Sequence, residues 1–141
     1  MSVRPLVRKA DWESALSAYL SKVRDRPYAP GAHDCMLHPA AAIKAVTGRD
    51  WGRGHRGKYD SPLGAKRYLK GLGFDSPEAM LDSLLPEKPV GFAQRGDIVL
   101  SDGIPGVCVG DEAAFVGLDA EEGREGLIMR PRALWSKAWA V

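Results

Sequence analysis

Residues 31–40, GAHDCMLHPA, hold one of the chain's two cysteines between two of its three histidines. A thiol beside imidazoles is the pattern of a nucleophile with its base, or of a metal site. Cys35 is therefore the candidate nucleophile. His38, three residues on, shares a helical face with it if both are helical. His33, two residues back, needs a turn to bring its ring to the sulfur. Pro39 bears on this geometry: it has no N–H to bond back to the Cys35 carbonyl, and proline favours the first helical positions. Regular helix is thus expected to begin at His38 or Pro39, with Cys35 in an irregular turn ahead of it. There the plainer role of a cysteine is that of a small buried apolar side chain.

On either side of this stretch the chain reads as helical. Residues 11–24, DWESALSAYLSKVR, carry Trp12, Ala15, Leu16, Tyr19, Leu20 and Val23 at three-and-four spacing, with Asp11 as the N-cap. Residues 26–31, RPYAPG, break that helix. After Pro39 the run PAAAIKAV is helical and Thr47-Gly48 closes it. Residues 48–60, GRDWGRGHRGKYD, read as a long surface loop. Ser61-Pro62 and Ser76-Pro77 each pair an N-cap with proline at the first helical position. They start PLGAKRYLKGL, amphipathic through Leu63, Leu69 and Leu72, and PEAMLDSLL, which Pro86 ends.

Beyond Pro89 the pattern changes to short β-branched runs, DIVLSD, GVCVGD, AAFVGL and GLIMRP, separated by Gly, Asp and Pro. The last ten residues, RALWSKAWAV, predict a helical turn and a closing strand, with Trp135 and Trp139 as core at the sheet's end. Helices first and strands second predict an α+β fold, N-terminal helices packed on a small C-terminal antiparallel sheet, as a single domain over 1–141. Nothing helical separates the strands, which argues against parallel βαβ units.

Composition narrows the class. The 45% hydrophobic and 27% charged fractions are those of a globular chain, and a net charge of +2 gives no case for a polyanionic partner. No apolar run reaches the length of a membrane span. The N-terminus lacks the apolar middle of a signal peptide, so export by that route is not expected. Two cysteines far apart in a chain made in the cytoplasm read as free thiols.

Three stretches, in order, carry a family likeness. PYAPGAHDCMLHPAAAI (27–43) contains an Asp-Cys pair at the head of a helix. QRGDIVL (94–100) is a Gly-Asp strand, and IPGVCVGDEAAFV (104–116) is a hairpin with glycines at 106 and 110. Together they resemble the NlpC-type cysteine peptidases, a papain-like family that cuts bacterial cell-wall peptides. The resemblance spans 90 residues, from Pro27 to Val116. It implies a papain-like fold with Cys35 as nucleophile. In that family a histidine at the head of the hairpin's first strand activates the thiol, and a second polar residue from the next strand orients it. Here those positions are Ile104 and Gly117. An isoleucine can neither take a proton nor stabilise a thiolate.

His33, His38 and the loop residue His55 are the imidazoles left as substitutes, with His55 reading as solvated. A metal site built from Cys35, His33, His38, His55 and Cys108 lacks paired CxxC or HxxxH spacing. No metal or cofactor is expected, and Cys108 reads as core. The basic run Arg49, Arg53, Arg56 and Lys58, interleaved with Trp51 and Tyr59, reads as a protein-docking loop before a nucleic-acid one. A closer likeness is to small phage and prophage tail proteins that share HDC, a GR-x-W/Y loop and an ending like RALWSKAWAV. That resemblance implies a virion component of the tail tip or baseplate hub, made in the host cytoplasm and contacting other hub proteins. Its fold would be that of a peptidase with the catalytic partners missing. The alternative is an active peptidoglycan endopeptidase or amidase, with Cys35 attacking a peptide carbonyl and His38 or His33 as base. Host peptidoglycan would then be a further partner.

Overall fold

Four helices and a six-stranded antiparallel sheet make up the chain in a computed structural model that describes residues 6–119 and 124–141. Residues 1–5, part of the stretch read for an export signal, lie outside the described residues. The helices are α1 (Trp12–Val23), α2 (Leu37–Thr47), α3 (Pro62–Gly71) and α4 (Pro77–Leu84). The serine caps work as the sequence implies. Ser61 Oγ accepts from the Gly64 N–H at 2.9 Å and Ser76 Oγ from the Ala79 N–H at 3.1 Å, each with proline in the first turn. Asp11 precedes α1, but its side chain makes no capping bond. Gly48 closes α2 in the left-handed region, its N–H bonded to the Lys44 carbonyl. The helix begins at Leu37, one residue before the earlier of the two expected starts.

The strands are β1 (Glu87–Lys88), β2 (Ile98–Ser101), β3 (Ile104–Cys108), β4 (Glu112–Asp119), β5 (Arg124–Pro131) and β6 (Lys137–Trp139). They lie in the order β1-β6-β2-β3-β4-β5, every pair antiparallel. A turn of 3-10 helix over Arg132–Leu134 comes before the closing strand. Sequence reading missed β1, because a two-residue strand carries no periodicity to detect.

Strand alternation divides the core into two sides. Ile98, Leu100, Val107 and Trp139 pack with Leu16, Ile43, Val46, Leu81 and Leu85 on the helix side. Val99, Cys108, Phe115, Trp135 and Ala138 form a second cluster on the far side, with Ile104 against it. A side chain at Gly106 would overlap the Phe115 ring in that cluster, so the hairpin glycine is a packing requirement. Trp135 and Trp139 are both core, on opposite faces of the sheet.

The Gly-Asp pair of β2 has a structural task. Asp97, 1% exposed, is paired by Arg8 at 3.1 Å and Lys88 at 2.7 Å. It also accepts the N–H groups of Val141 and Gln94. Arg8 reaches the Val141 and Arg95 carbonyls as well. One carboxylate thus joins the segment before α1, the turn before β2, strand β1 and the last residue.

Removing one member of a buried ion pair strands its partners, so Asp97→Ala is expected to cost about 3–5 kcal/mol in urea unfolding. A loss below about 1 kcal/mol, the range of a surface pair, would contradict this role.

Candidate functional site

The site is organised by Asp34. Its backbone carbonyl accepts from the His38 N–H at 3.0 Å, the first bond of helical type in this segment. Its Oδ1 accepts from the Met36 and Leu37 N–H groups at 3.0 and 2.9 Å. Asp34 is therefore the effective N-cap of α2, and Cys35 occupies the first capped turn. The sequence reading of an irregular turn ahead of the helix needs this refinement: the cap compensates for Pro39, which leaves only the Cys35 carbonyl without its helical partner.

The other oxygen of Asp34 fastens the 48–60 segment. Oδ2 accepts from the Gly31 N–H at 2.9 Å and the Tyr59 hydroxyl at 2.6 Å. Gly57 N–H also donates to the Gly31 carbonyl at 2.8 Å. Gly31 has φ +83°, and a side chain there would overlap the Tyr59 carbonyl oxygen. The loop expected at the surface has exposed basic residues, but its inner side is tied to the cysteine turn. Trp51 packs against the main core. His55, expected to be solvated, is held by Tyr68, Nδ1 to hydroxyl at 2.6 Å.

Cys35 is half-buried and lines an open cleft of about 610 Å³ walled by residues of α2, the 48–60 loop, α3 and α4. Burial raises its thiol pKa to about 11, and the Asp34 carboxylate adds to the rise. The thiol is therefore protonated at neutral pH.

The imidazoles are arranged as follows. His38 is fully buried, with Nε2 3.1 Å from the Ala114 carbonyl and Nδ1 2.6 Å from the Tyr19 hydroxyl. A carbonyl only accepts, so Nε2 carries the proton and Nδ1 accepts from Tyr19. Both nitrogens are engaged between α1 and β4, which leaves His38 no lone pair for Cys35. Burial pulls its pKa down to about 4. His33 is also buried, edge-on to His38 with ring centroids 5.6 Å apart, and its Nε2 has no partner among the described residues. Burial lowers its pKa too, with the Arg26 charge adding to the effect. His55 is the one histidine in the wall of the Cys35 cavity. Among the described residues no hydrogen bond joins Cys35 to an imidazole.

Ile104 packs with the far-side cluster, on the face of the sheet turned away from the helices. Gly117 lies in β4 opposite Gly126. Cys108 is completely buried in the far-side cluster. Among the described residues no three His, Cys, Asp or Glu side chains are grouped to hold a metal ion. No helix among them is long and apolar enough to cross a membrane.

Three tyrosines join the site although the sequence reading gave none of them a role at Cys35. Tyr59 bonds Asp34, and its ring lies 5.5 Å from that of Tyr68. Tyr28 faces the same cavity, its pKa raised by burial, by Cys35 once that thiol ionises at alkaline pH, and by the Asp34 carboxylate. Tyr28 and Tyr59 lie in loops that follow no period, Tyr68 lies on α3, and the bonds of the 48–60 segment gather them. The arrangement offers a neutral thiol and a ring of hydroxyls at one end of an apolar chamber, with no assembled base.

A family model described as a domain of unknown function (DUF6950) matches residues 7–141, and the chain belongs to that family. No curated protein and no solved structure matches the chain.

Two measurements follow from this geometry. Iodoacetamide should alkylate Cys35 at neutral pH about a hundredfold more slowly than an unperturbed thiol, the ratio set by a pKa of about 11 in place of 9.0. A rate equal to that of glutathione would mean that a base acts on the sulfur. His38, with a native pKa of about 4 against 6.5, binds more protons unfolded than folded between those values. Its contribution is complete above about pH 6.5 and is lost as the pH falls towards 4. Urea unfolding across that window should show a loss of about 3 kcal/mol that His38→Gln removes, and an unchanged slope in that variant would refute the assignment.

Proposed function

We propose that this chain is a papain-like, NlpC-type domain that serves as a structural part of a bacteriophage tail tip, without hydrolytic chemistry. The observation that carries the reading is the separation of the thiol from any base. Cys35 opens into a cavity among the helices, while the residue at the family's histidine position, Ile104, points to the other side of the sheet. Restoring the histidine at 104 would not bring it to the sulfur. The order of the three motifs, with Asp34-Cys35 heading a helix before an antiparallel sheet, supports the NlpC-type assignment. The likeness to phage tail proteins supports the tail-tip role, with other hub proteins as partners and the virion as the location.

The hydrolase reading has one observation on its side: His55 shares the cavity with Cys35. Under it, the purified chain would digest peptidoglycan, and Cys35→Ala or His55→Ala would each stop digestion.

Under the structural reading the unmodified chain leaves peptidoglycan intact. Phage carrying Cys35→Ala then form normal infectious tails, whereas deletion of the gene leaves tailless or tipless particles. Digestion that depends on Cys35, or intact tails without the gene, would overturn it.

A further inference from the structure

His33 is buried in the turn between α1 and α2, at 2% exposure. Its Nε2 has no hydrogen-bond partner among the described residues, a condition that native proteins seldom leave without a reason. The main chain around it is pinned. The Ala29 carbonyl accepts from the His33 N–H at 2.8 Å, and the His33 carbonyl accepts from the Ala29 N–H at 2.9 Å. One residue further on, Asp34 carries the four bonds that cap α2 and fasten Tyr59. Where the His33 ring sits therefore decides whether that carboxylate stays in place.

The surroundings suit a neutral ring. A protonated imidazole donates from both nitrogens, and among the described residues Nε2 has no acceptor to meet. From α2, His38 meets the ring edge-on with centroids 5.6 Å apart, and its own Nε2 already uses the Ala114 carbonyl of β4. From α1, the Tyr19 hydroxyl is engaged with His38 Nδ1. On the same face of β4 as Ala114 the charged residue is Glu112, exposed at the start of the strand. After α1, the Arg26 guanidinium repels a charge on His33. Asp34 attracts it, but burial and Arg26 outweigh that carboxylate and hold the pKa of His33 below the usual histidine value.

We propose that His33 is an acid-operated latch on the Cys35 cleft: when its ring takes a proton from water, residues 29–36 swing out and the Asp34–Tyr59 bond breaks. The proton goes onto the ring nitrogen that lacks one, and no other covalent bond changes. The released ring regains the ordinary histidine value of 6.5. Below that value the open form binds more protons than the closed one, so the closed form loses ground as the pH falls. The opening is local because none of residues 24–36 belongs to the three apolar clusters of the core. Loss of the Asp34–Tyr59 bond, and of the Gly57 bond to Gly31, then frees the 48–60 loop from the wall of the cleft. The latch works alike whether the cleft is a structural remnant or a hydrolytic site.

Hydrogen exchange of the full chain, followed amide by amide by NMR at pH 7 and pH 4.5, tests this. After correction for intrinsic rates, protection at Gly31, His33, Met36 and Leu37 should fall at least tenfold in acid. At two pH units below 6.5 the ceiling for one histidine is about a hundredfold. The β2 and β3 amides should stay at least tenfold better protected than these four at pH 4.5. His33→Phe keeps a ring that cannot take a proton, and should cancel the acid loss at the four positions. His33→Gln makes the same test if the phenylalanine variant fails to fold. Arg26→Gln, at an exposed position, should move the midpoint of the loss to higher pH, because it removes a cation that opposes protonation. Four results would each overturn the inference. They are unchanged protection at pH 4.5, turn and sheet amides exchanging alike, an acid loss that persists in a folded His33 variant, and a midpoint that Arg26→Gln leaves in place.

Discussion

The carboxylate of Asp34 accepts bonds from Gly31, Met36, Leu37 and Tyr59, and the whole candidate site descends from those four contacts. Two of them satisfy orphan N–H groups at the head of α2, where Pro39 weakens the first turn. The other two fold the chain before the helix and the loop after it onto the same point. Buried at 2% exposure, the carboxylate is tolerable only because donors surround it. Without it, the cysteine turn would lose its cap and the 48–60 loop its anchor together.

The same residue decides the chemistry. A helix head normally favours a thiolate through its exposed N–H groups and dipole. Here Asp34 takes up those N–H groups itself and sets a negative charge beside the sulfur. With burial acting in the same direction, the thiol stays protonated. His38, the nearest match by spacing, is locked into packing between α1 and β4 through Tyr19 and Ala114. The histidine-flanked cysteine therefore sits in a knot in which Asp34 and both ring nitrogens of His38 are engaged in structural bonds. His33 Nε2 is the one buried side-chain polar atom left unpaired among the described residues.

A second carboxylate, Asp97, does for the sheet what Asp34 does for the helix, joining the residues before α1 and the last residue to the edge of the strands. Between these two anchors, α1, α2 and α4 contribute to one core with the sheet through Leu16, Ile43, Val46 and Leu81, while α3 buries no residue and lines the open cleft beside Cys35.

The sequence alone determined the four helices and five of the six strands, because Ser-Pro caps, a Gly closure and a change of period after Pro89 are local signals that tertiary contacts did not override, whereas β1 is too short to carry one. It also determined the absence of a base at Ile104 and Gly117, since an aliphatic side chain or none excludes proton transfer in any fold. Only the tertiary structure decided which way Ile104 faces, because a strand residue's side is set by pairing register, and in this register it points away from the helices. The gathering of Tyr28, Tyr59, Tyr68 and His55 around Cys35 was likewise invisible in the sequence. Those residues lie up to 40 positions apart in two loops and helix α3, and the bonds at Gly31, Asp34 and Tyr68 bring them together.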